Sequence, residues 1–282
     1  MSVSNNRKAA NGSRANLRRA AFYDLDGTLV GLNLVNAALF MLANVGEWSG
    51  RLSYLVGFAA RIPQLYLAER RDRRLLNTVL FESFKGVSRD RLFSLGEEYC
   101  ERILIRNLYP RAIELIEANR SAGIAPVLVT GSPDFIVAPL ARHLQIADFA
   151  ANRLVYSRGL ATGRLATPVM ATDEKAVWCA QYAAEREINL NDCWGYADSH
   201  YDTAFLAALG HPVAVNPDRR LRAAATNRQW PVIRFEKYQS PQDREFADAG
   251  EALDELSEIQ SDGEQHNEPI SRYSRRGSDG AS

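Results

Sequence analysis

The stretch Ala20-Ala-Phe-Tyr-Asp-Leu-Asp-Gly-Thr28 runs from apolar residues into two aspartates and a glycine. The apolar part predicts a short buried parallel strand, and the polar part marks its carboxyl end. Because residues two apart point to the same side of an extended chain, the carboxylates of Asp24 and Asp26 should face one point, where a cation could offset their repulsion. The alternative is an acidic turn. A chance match of the four fixed residues, however, is expected on the order of once per 10⁵ windows.

Three further apolar runs resemble this strand, and helical patterns lie between them. The strand-like runs are at 126–131, 193–197 and 212–215, and the helical patterns are at 111–122, 134–145, 174–187 and 200–209. Strands that alternate with helices predict an α/β fold, in which helices flank an open parallel sheet. Such sheets bind their ligands at the carboxyl ends of the strands.

Residues 33–107 break this alternation with a long helical pattern. Because the segment is too long for a loop, we predict an all-helical cap over the carboxyl edge of the sheet, inserted into a core of residues 20–32 and 108–239. The first part of the cap predicts two amphipathic helices joined by a turn at 46–50. Residues 152–166 predict a β-hairpin.

The charge of the chain is balanced overall but not along its length. Lysine plus arginine and aspartate plus glutamate each total 34, so the chain lacks the basic excess of a dedicated nucleic-acid-binding protein. Residues 1–19 hold five basic residues and no acidic one, whereas residues 240–282 hold eleven acidic residues and four arginines. Both segments are poor in large apolar residues, which predicts two mostly disordered tails.

Three observations predict a cytoplasmic protein. The first nineteen residues lack the apolar segment of a signal peptide. The most apolar stretch, 32–67, is interrupted by charged residues and a proline, so it should not span a membrane. The three cysteines are odd in number and form no C-x-x-C pair, which argues against a disulfide framework and a zinc site.

A second polar segment, Thr130-Gly131-Ser132-Pro133, follows the strand predicted at 126–131. Ser132 can be the N-cap of the next helix and Pro133 its first residue. A helix N-terminus at the carboxyl end of a strand can hold a phosphate through free amides, and Thr130 would add a hydroxyl. An ordinary capped helix is the alternative interpretation.

Lys175 lies three residues after Thr172, which is a candidate N-cap. The lysine would therefore lie in the first turn of a helix, where the helix dipole disfavours a cation. A solvated surface lysine is the alternative to a functional one.

The segment 194–202 is again a strand end followed by a helix start. Asp198 could add a third carboxylate to the edge of the sheet, and hard oxygen ligands of this kind suit Mg²⁺. Asp202 could do the same, or it could form a capping box with Ser199. His200 lies between these acids, but no second histidine follows at metal-ligand spacing, so we expect no histidine chemistry.

Taken in order, these strand-end segments resemble the four motifs of the haloacid dehalogenase superfamily over roughly residues 20–235. The motif residues are Asp24, Asp26, Thr130, Lys175, Asp198 and Asp202. The inserted helices, the Thr-Gly-Ser-Pro segment and the late Asn216-Pro-Asp218 are most similar to the phosphoserine-phosphatase-like subfamily. That subfamily has a Rossmann-like core and a helical C1 cap.

The resemblance implies a phosphatase that hydrolyses a phosphate monoester through an aspartyl-phosphate intermediate. Asp24 would be the nucleophile. Asp26 would act as general acid towards the leaving group and then as general base towards water. Thr130, Gly131 and Lys175 would bind the phosphate.

The resemblance also implies Mg²⁺ as the cofactor. Asp24, the backbone carbonyl of Asp26 and Asp198 would hold the ion, and Asp202 would steady either the metal site or Lys175. The expected partner is a small phosphate ester. A phosphomutase and a non-catalytic phosphate-binding domain are the rival interpretations.

Two departures from true phosphoserine phosphatases concern the substrate. Those enzymes carry a glutamate nine residues after the nucleophile, where this chain has Asn33, and a cap arginine that is missing around 81–86. Asn33 therefore becomes a candidate substrate-binding residue, and another small phosphorylated metabolite is expected. The alternative is a phospholipid-head-group phosphatase that contacts an anionic membrane, because an arginine-rich run at 69–74 accompanies an apolar cap. A solvated helix face is the simpler interpretation of that run.

Overall fold

The structure is a computed structural model that describes residues 19–45 and 73–235, apart from the Arg73 side chain. The predicted tails at 1–19 (except Arg19) and 240–282, the turn predicted at 46–50 and the second amphipathic cap helix lie outside the described residues. So does most of the arginine-rich run at 69–74. In the described part of the chain, no helix has the length and apolar character needed to cross a bilayer.

The described strands form a six-stranded sheet and a separate hairpin. In chain order they are β1 (Ala20–Tyr23), β2 (Ala125–Pro133), β3 (Asp148–Asn152), β4 (Leu154–Ser157), β5 (Leu160–Leu165), β6 (Trp194–Ala197), β7 (His211–Val215) and β8 (Val232–Ile233). The sheet order is β3-β2-β1-β6-β7-β8, and every pair in it is parallel. The predicted open parallel sheet is confirmed.

Strand β1 lies at the topological switch point of the sheet. The chain adds β2 and β3 on one side of β1 and then returns to add β6, β7 and β8 on the other side. Tyr23, the last residue of β1, is paired with Leu128 on one neighbour and with Tyr196 on the other. Open α/β sheets bind ligands outside the carboxyl ends of the strands at such a switch point.

Alternate residues of β1 enter two hydrophobic cores. Phe22 packs with Val127 and Val129 on one face of the sheet, whereas Tyr23 packs with Leu128 on the other. This follows from the two-residue period of a strand. Because both faces are covered, β1 holds the residue that follows it at a fixed place on the edge of the sheet.

Eight α-helices lie within the described residues. They are α1 (Leu34–Asn44), α2 (Arg73–Glu82), α3 (Arg89–Tyr99), α4 (Pro110–Ser121), α5 (Asp134–His143), α6 (Asp173–Glu185), α7 (Thr203–Ala207) and α8 (Arg219–Arg228). Helices α4 and α5 cover the Tyr23 face of the sheet, and α6, α7 and α8 cover the Phe22 face.

Helices α1, α2 and α3 lie in the segment predicted as a cap, and a π-helical turn (Cys100–Leu104) and a 3₁₀ turn (Ile105–Asn107) follow them. Helix α3 crosses α5 at Gly96, where a Cβ atom would lie 1.9 Å from the carbonyl oxygen of Phe135. Only glycine permits this approach of the two helices.

The hairpin predicted at 152–166 is present as β4 and β5 and contacts the cap segment. The Gly86 N–H donates to the Ala161 carbonyl, and the Ala161 N–H donates to the Val87 carbonyl, both at 2.8 Å. The hairpin and the segment between α2 and α3 are therefore joined through their backbones.

Some boundaries differ from the prediction. Strand β2 continues through Ser132 to Pro133, and α5 begins at Asp134 with Pro133 as its N-cap, so the predicted cap at Ser132 is wrong by one residue. The helix predicted at 200–209 begins as a 3₁₀ turn (His200–Asp202) that leads into α7. Strands β3 and β8 were missing from the prediction, because β8 has only two residues and β3 begins with a charged one.

Candidate active site

Asp24 is held at the carboxyl edge of the sheet and is paired with Lys175. Its backbone N–H donates to the Tyr196 carbonyl at 2.9 Å and so continues the pairing one residue beyond β1. Lys175 Nζ lies 2.8 Å from Asp24 Oδ1 and 2.7 Å from Asp202 Oδ1. Asp24, Lys175 and Asp202 are 6%, 5% and 3% exposed. Two carboxylates therefore share one buried cation.

The position of Lys175 in the first turn of α6, after the N-cap Thr172, is the predicted one. Burial alone would lower the pKa of Lys175, but the carboxylates of Asp202 and Asp24 raise it above its ordinary value. Lys175 is therefore charged at neutral pH. One negative charge of the cluster is left uncompensated, which favours a further cation nearby.

Asp198 lies against the loop that follows β1. Thr28 Oγ1 donates to Asp198 Oδ1 at 3.3 Å. Gly27 has a φ of 76°, and a Cβ atom at this position would lie 2.0 Å from Asp198 Oδ2. Glycine is thus required both by its backbone conformation and by the approach of this carboxylate. The Asp-Gly-Thr part of the first motif makes room for the third carboxylate.

Asp26 is oriented by Ser132 at the end of β2. Ser132 Oγ donates to Asp26 Oδ2 at 2.6 Å. The Ser132 N–H in turn donates to Thr130 Oγ1 at 3.1 Å, and Thr130 is fully buried. Instead of capping α5, the Ser132 hydroxyl fixes the second aspartate of the first motif.

A cavity opens over these groups. Its lining comes from the sheet edge, the start of α6 and the segment before it, the turn after β6, and the helices α1 and α2. The lining residues are Asp24, Asp26, Leu34, Asn77, Gly131, Met170, Ala171, Thr172, Lys175, Ser199, Tyr201 and Asp202. Among the predicted substrate-binding residues, Gly131 and Lys175 line this cavity, whereas Thr130 and Asn33 are not part of its lining. The predicted nucleophile, acid and lysine thus face one space.

Asn33 lies at the start of α1, and substrate binding by this residue stays a prediction. It is the N-cap of α1, and its Oδ1 accepts hydrogen bonds from the backbone N–H groups of Val35 and Asn36 at 3.0 and 3.1 Å. Asn36 Oδ1 accepts from the Asn33 N–H at 3.0 Å and completes a capping box. The side-chain oxygen of Asn33 therefore caps α1 in this structure. Its neighbour Leu34 lines the cavity.

Three carboxylates fit a magnesium ion by their chemistry. Oxygen atoms of Asp24, Asp198 and Asp202 lie within 4.8 Å of one another, and carboxylate oxygens are the ligands that Mg²⁺ takes in phosphate-processing sites. The side chain of Asp26 is not part of this group. Metal binding by the backbone carbonyl of Asp26 stays a prediction.

His200 is a positioning residue of the turn after β6. Its Nδ1 lies 2.9 Å from Asp218 Oδ2, and its N–H donates to the same oxygen at 2.7 Å. The Asp218 N–H donates to the Asp198 carbonyl at 2.9 Å. The Asn-Pro-Asp segment is therefore hydrogen-bonded to the turn that contains Asp198. That His200 is not a metal ligand stays a prediction.

Arg74, the last residue of the arginine-rich run, belongs to the described residues and contacts the site. Its Nε donates to Thr172 Oγ1 at 3.2 Å, and its Nη2 lies 3.8 Å from Glu174 Oε1. The Arg74 side chain is 43% exposed and also links α2 to the segment that lines the cavity.

Two residues of the site, Ser132 and Asn77, were not predicted to belong to it from the sequence. The Ser132 hydroxyl reaches Asp26 across 106 positions of the chain, and Asn77 reaches the cavity from α2. The serine stands in a segment that the sequence had already marked as polar. No local pattern marks Asn77, since it is one polar residue among several on an ordinary helix.

The parallel sheet, its switch point and the cluster of carboxylates around a buried lysine are features typical of α/β proteins that bind phosphate groups at the sheet edge. The chain belongs to the family of haloacid dehalogenase-like hydrolases, whose model matches residues 21–207.

Relatives with phosphatase names support this placement. The chain is 31% identical to a probable phosphatase of Mycobacterium tuberculosis, over 86% of this chain and 84% of that protein. It is 29% identical to a phosphoserine phosphatase of the same organism, over 78% of this chain and 71% of that protein. A crystal structure of a Bordetella pertussis protein of unknown function has 27% sequence identity and a TM-score of 0.66, and the match covers 77% of this chain and 98% of that one. The predicted resemblance to phosphoserine-phosphatase-like enzymes is confirmed.

Proposed function

We propose that this protein is a Mg²⁺-dependent phosphatase that hydrolyses a small phosphate monoester with Asp24 as its nucleophile. The observation that carries the proposal is the buried Lys175, which binds Asp24 Oδ1 at 2.8 Å inside the cavity. Because Lys175 engages Oδ1, Oδ2 of Asp24 is the oxygen that would attack phosphorus. The bond between phosphorus and the leaving alkoxide then breaks, and an aspartyl-phosphate forms.

Asp26 is the residue that would move the proton. Its carboxyl group would protonate the leaving oxygen in the first step and would accept a proton from the attacking water in the second. Ser132 supports this role by its hydrogen bond to Asp26 Oδ2, which holds the carboxyl group in one orientation. Ser132 is thus proposed as a positioning residue.

The charge of the phosphoryl group would be balanced from several sides. Lys175 and the Gly131 backbone face the cavity, and we assign phosphate contacts to both. Phosphate binding by Thr130 stays a prediction. Asp24, the Asp26 carbonyl and Asp198 would hold Mg²⁺, which when bound would neutralise charge on the phosphoryl oxygens. Asp202 would keep Lys175 in place through its 2.7 Å contact.

A substrate other than phosphoserine is favoured by the first two helices. The Asn33 side chain caps α1, and the segment at 81–86 offers two buried phenylalanines and no arginine. A small phosphorylated metabolite is therefore proposed. The cytoplasm as its location and a peripheral membrane contact stay predictions.

Phosphate release from a panel of monoesters tests the proposal. The purified full chain is incubated with phosphoserine, sugar phosphates, glycerol 1-phosphate, histidinol phosphate and detergent-solubilised phosphatidylglycerophosphate, each with Mg²⁺ or with EDTA. We expect release from at least one small ester, lost with EDTA and lost in Asp24→Asn. Phosphate release from the lipid alone would show that the substrate is a phospholipid head group and not a small metabolite. Failure of the whole panel, while Mg²⁺ still binds, would contradict the phosphatase assignment.

A further inference from the structure

Asn77 of α2 is a buried amide that lines the cavity. It is 1% exposed, and within the part of the chain that the structure describes neither Oδ1 nor Nδ2 has a hydrogen-bond partner. A buried polar group without a partner lowers the stability of a folded protein. Such a group therefore calls for an explanation other than the stability of the fold.

The surroundings of Asn77 show where its amide points. Asn77 lines the same cavity as Asp24, Asp26 and Lys175. Its Nδ2 lies 3.1 Å from the place that a Cβ atom of Gly131 would occupy. The amide therefore stands directly against the segment to which we assign phosphate contacts, and the missing side chain of Gly131 leaves it room.

We infer that Asn77 determines specificity by binding a hydroxyl group on the leaving alcohol of the substrate, an inference that rests on the proposed function. An amide offers one acceptor and two donors and carries no charge, so it matches a hydroxyl group, which can both donate and accept. It would not neutralise an ammonium or a carboxylate group. The favoured substrates are therefore phosphate esters of hydroxylated alcohols.

Two sources can supply this chemistry: a free polyol or sugar phosphate, and the glycerol phosphate of a lipid head group. A site that hydrogen-bonds a substrate hydroxyl discriminates strongly against the analogue that lacks it, because the polar group of the site is then left unpaired. Glycerol 1-phosphate and n-propyl phosphate form a matched pair of such esters. Detergent-solubilised phosphatidylglycerophosphate separates the lipid source from the free ester.

The experiment compares kcat/KM for the matched pair in the wild type, in Asn77→Ala and in Asn77→Leu. We expect the wild type to prefer glycerol 1-phosphate at least tenfold, and both variants to lower this preference to near unity because kcat/KM falls more for glycerol 1-phosphate than for propyl phosphate. Thermal unfolding is expected to show that Asn77→Leu is as stable as the wild type or more stable, because an unpaired buried amide is removed. A merely structural role for Asn77 would predict the opposite.

Thr78→Val is the matched control, since Thr78 is an exposed polar residue on the same helix. It should leave the preference unchanged. An unchanged preference in both Asn77 variants, or equal losses for both esters, would overturn the inference while leaving the phosphatase intact. Absence of phosphate release from every ester with the wild type would instead overturn the proposed function on which it rests.

Discussion

Lys175 is the buried cation at the centre of the candidate active site. Its ammonium group is buried between Asp24 and Asp202 at 2.8 and 2.7 Å. Taking these charges out of water is costly, and only their mutual contacts and hydrogen bonds offset that cost. Removal of the cation would leave two carboxylates facing each other in a buried site.

Lys175→Met is therefore expected to lower the free energy of unfolding by about 3–5 kcal/mol, the usual range when one partner of a buried ion pair is removed. Urea denaturation at pH 7 measures it. Lys85→Met is the matched control, because Lys85 is exposed and its replacement should change stability by less than about 0.5 kcal/mol. Equal stabilities of the two variants would contradict the coupling of Lys175 to the fold.

At the scale of the elements, the N-terminus of α8 stabilises the turn that follows β6. Asp218 Oδ1 accepts the Leu221 N–H at 2.7 Å as the N-cap of α8. Its Oδ2 accepts the His200 N–H, and its own N–H binds the Asp198 carbonyl. Partial burial alone would raise the pKa of Asp218, but the bonds to His200 and Leu221 lower it below its ordinary value.

The lowered pKa gives Asp218 a defined pH dependence. A carboxylate whose pKa is lower in the folded state adds stability above its unfolded pKa, and this stability is lost as the pH falls through the folded pKa. Asp218→Asn keeps the capping oxygen, removes the charge and replaces the acceptor Oδ2 by an amide NH₂ group. We expect it to cost about 1 kcal/mol at pH 6, with a difference from the wild type that shrinks as the pH falls below about 4.

Denaturant unfolding between pH 2.5 and 7 checks this expectation. Asp192→Asn is the control, because Asp192 is exposed. A difference for Asp218→Asn that stayed constant with pH would show that the carboxylate charge does not stabilise this turn.

At the scale of the whole molecule, the sheet and helices α1 to α3 share one buried cluster. Phe84, between α2 and α3, meets Phe135 of α5 edge to face with ring centroids 5.9 Å apart. The carboxylates and Lys175 come from the sheet edge and α6, whereas Leu34 and Asn77 come from α1 and α2. The sheet edge and α6 therefore carry the residues that we propose for the chemistry, and the first two helices carry the residues that we propose for selecting a leaving group.

The same division explains how far the sequence alone could lead. Asp24, Asp26 and Asp198 follow apolar runs at strand ends, and this local pattern was enough to predict both the parallel sheet and the group of carboxylates. Ser132 and Asn33 also stand in segments with a clear signal, but the choice between capping a helix and serving the site depends on which partner tertiary packing brings close. No local sequence pattern marks Asn77 as a site residue. Only the folded chain shows that its amide is buried and has no hydrogen-bond partner among the described residues.

Trapping the covalent intermediate tests the central claim most directly. The wild type is mixed with Mg²⁺ and its best ester, quenched in acid during turnover and treated with borohydride, which reduces an acyl phosphate to an alcohol. Peptide mass spectrometry should then find Asp24 converted to homoserine, and no such conversion in Asp24→Asn or without substrate. Phosphate release with no modification at Asp24, or with the covalent phosphate on another residue, would contradict the assignment of Asp24 as the nucleophile.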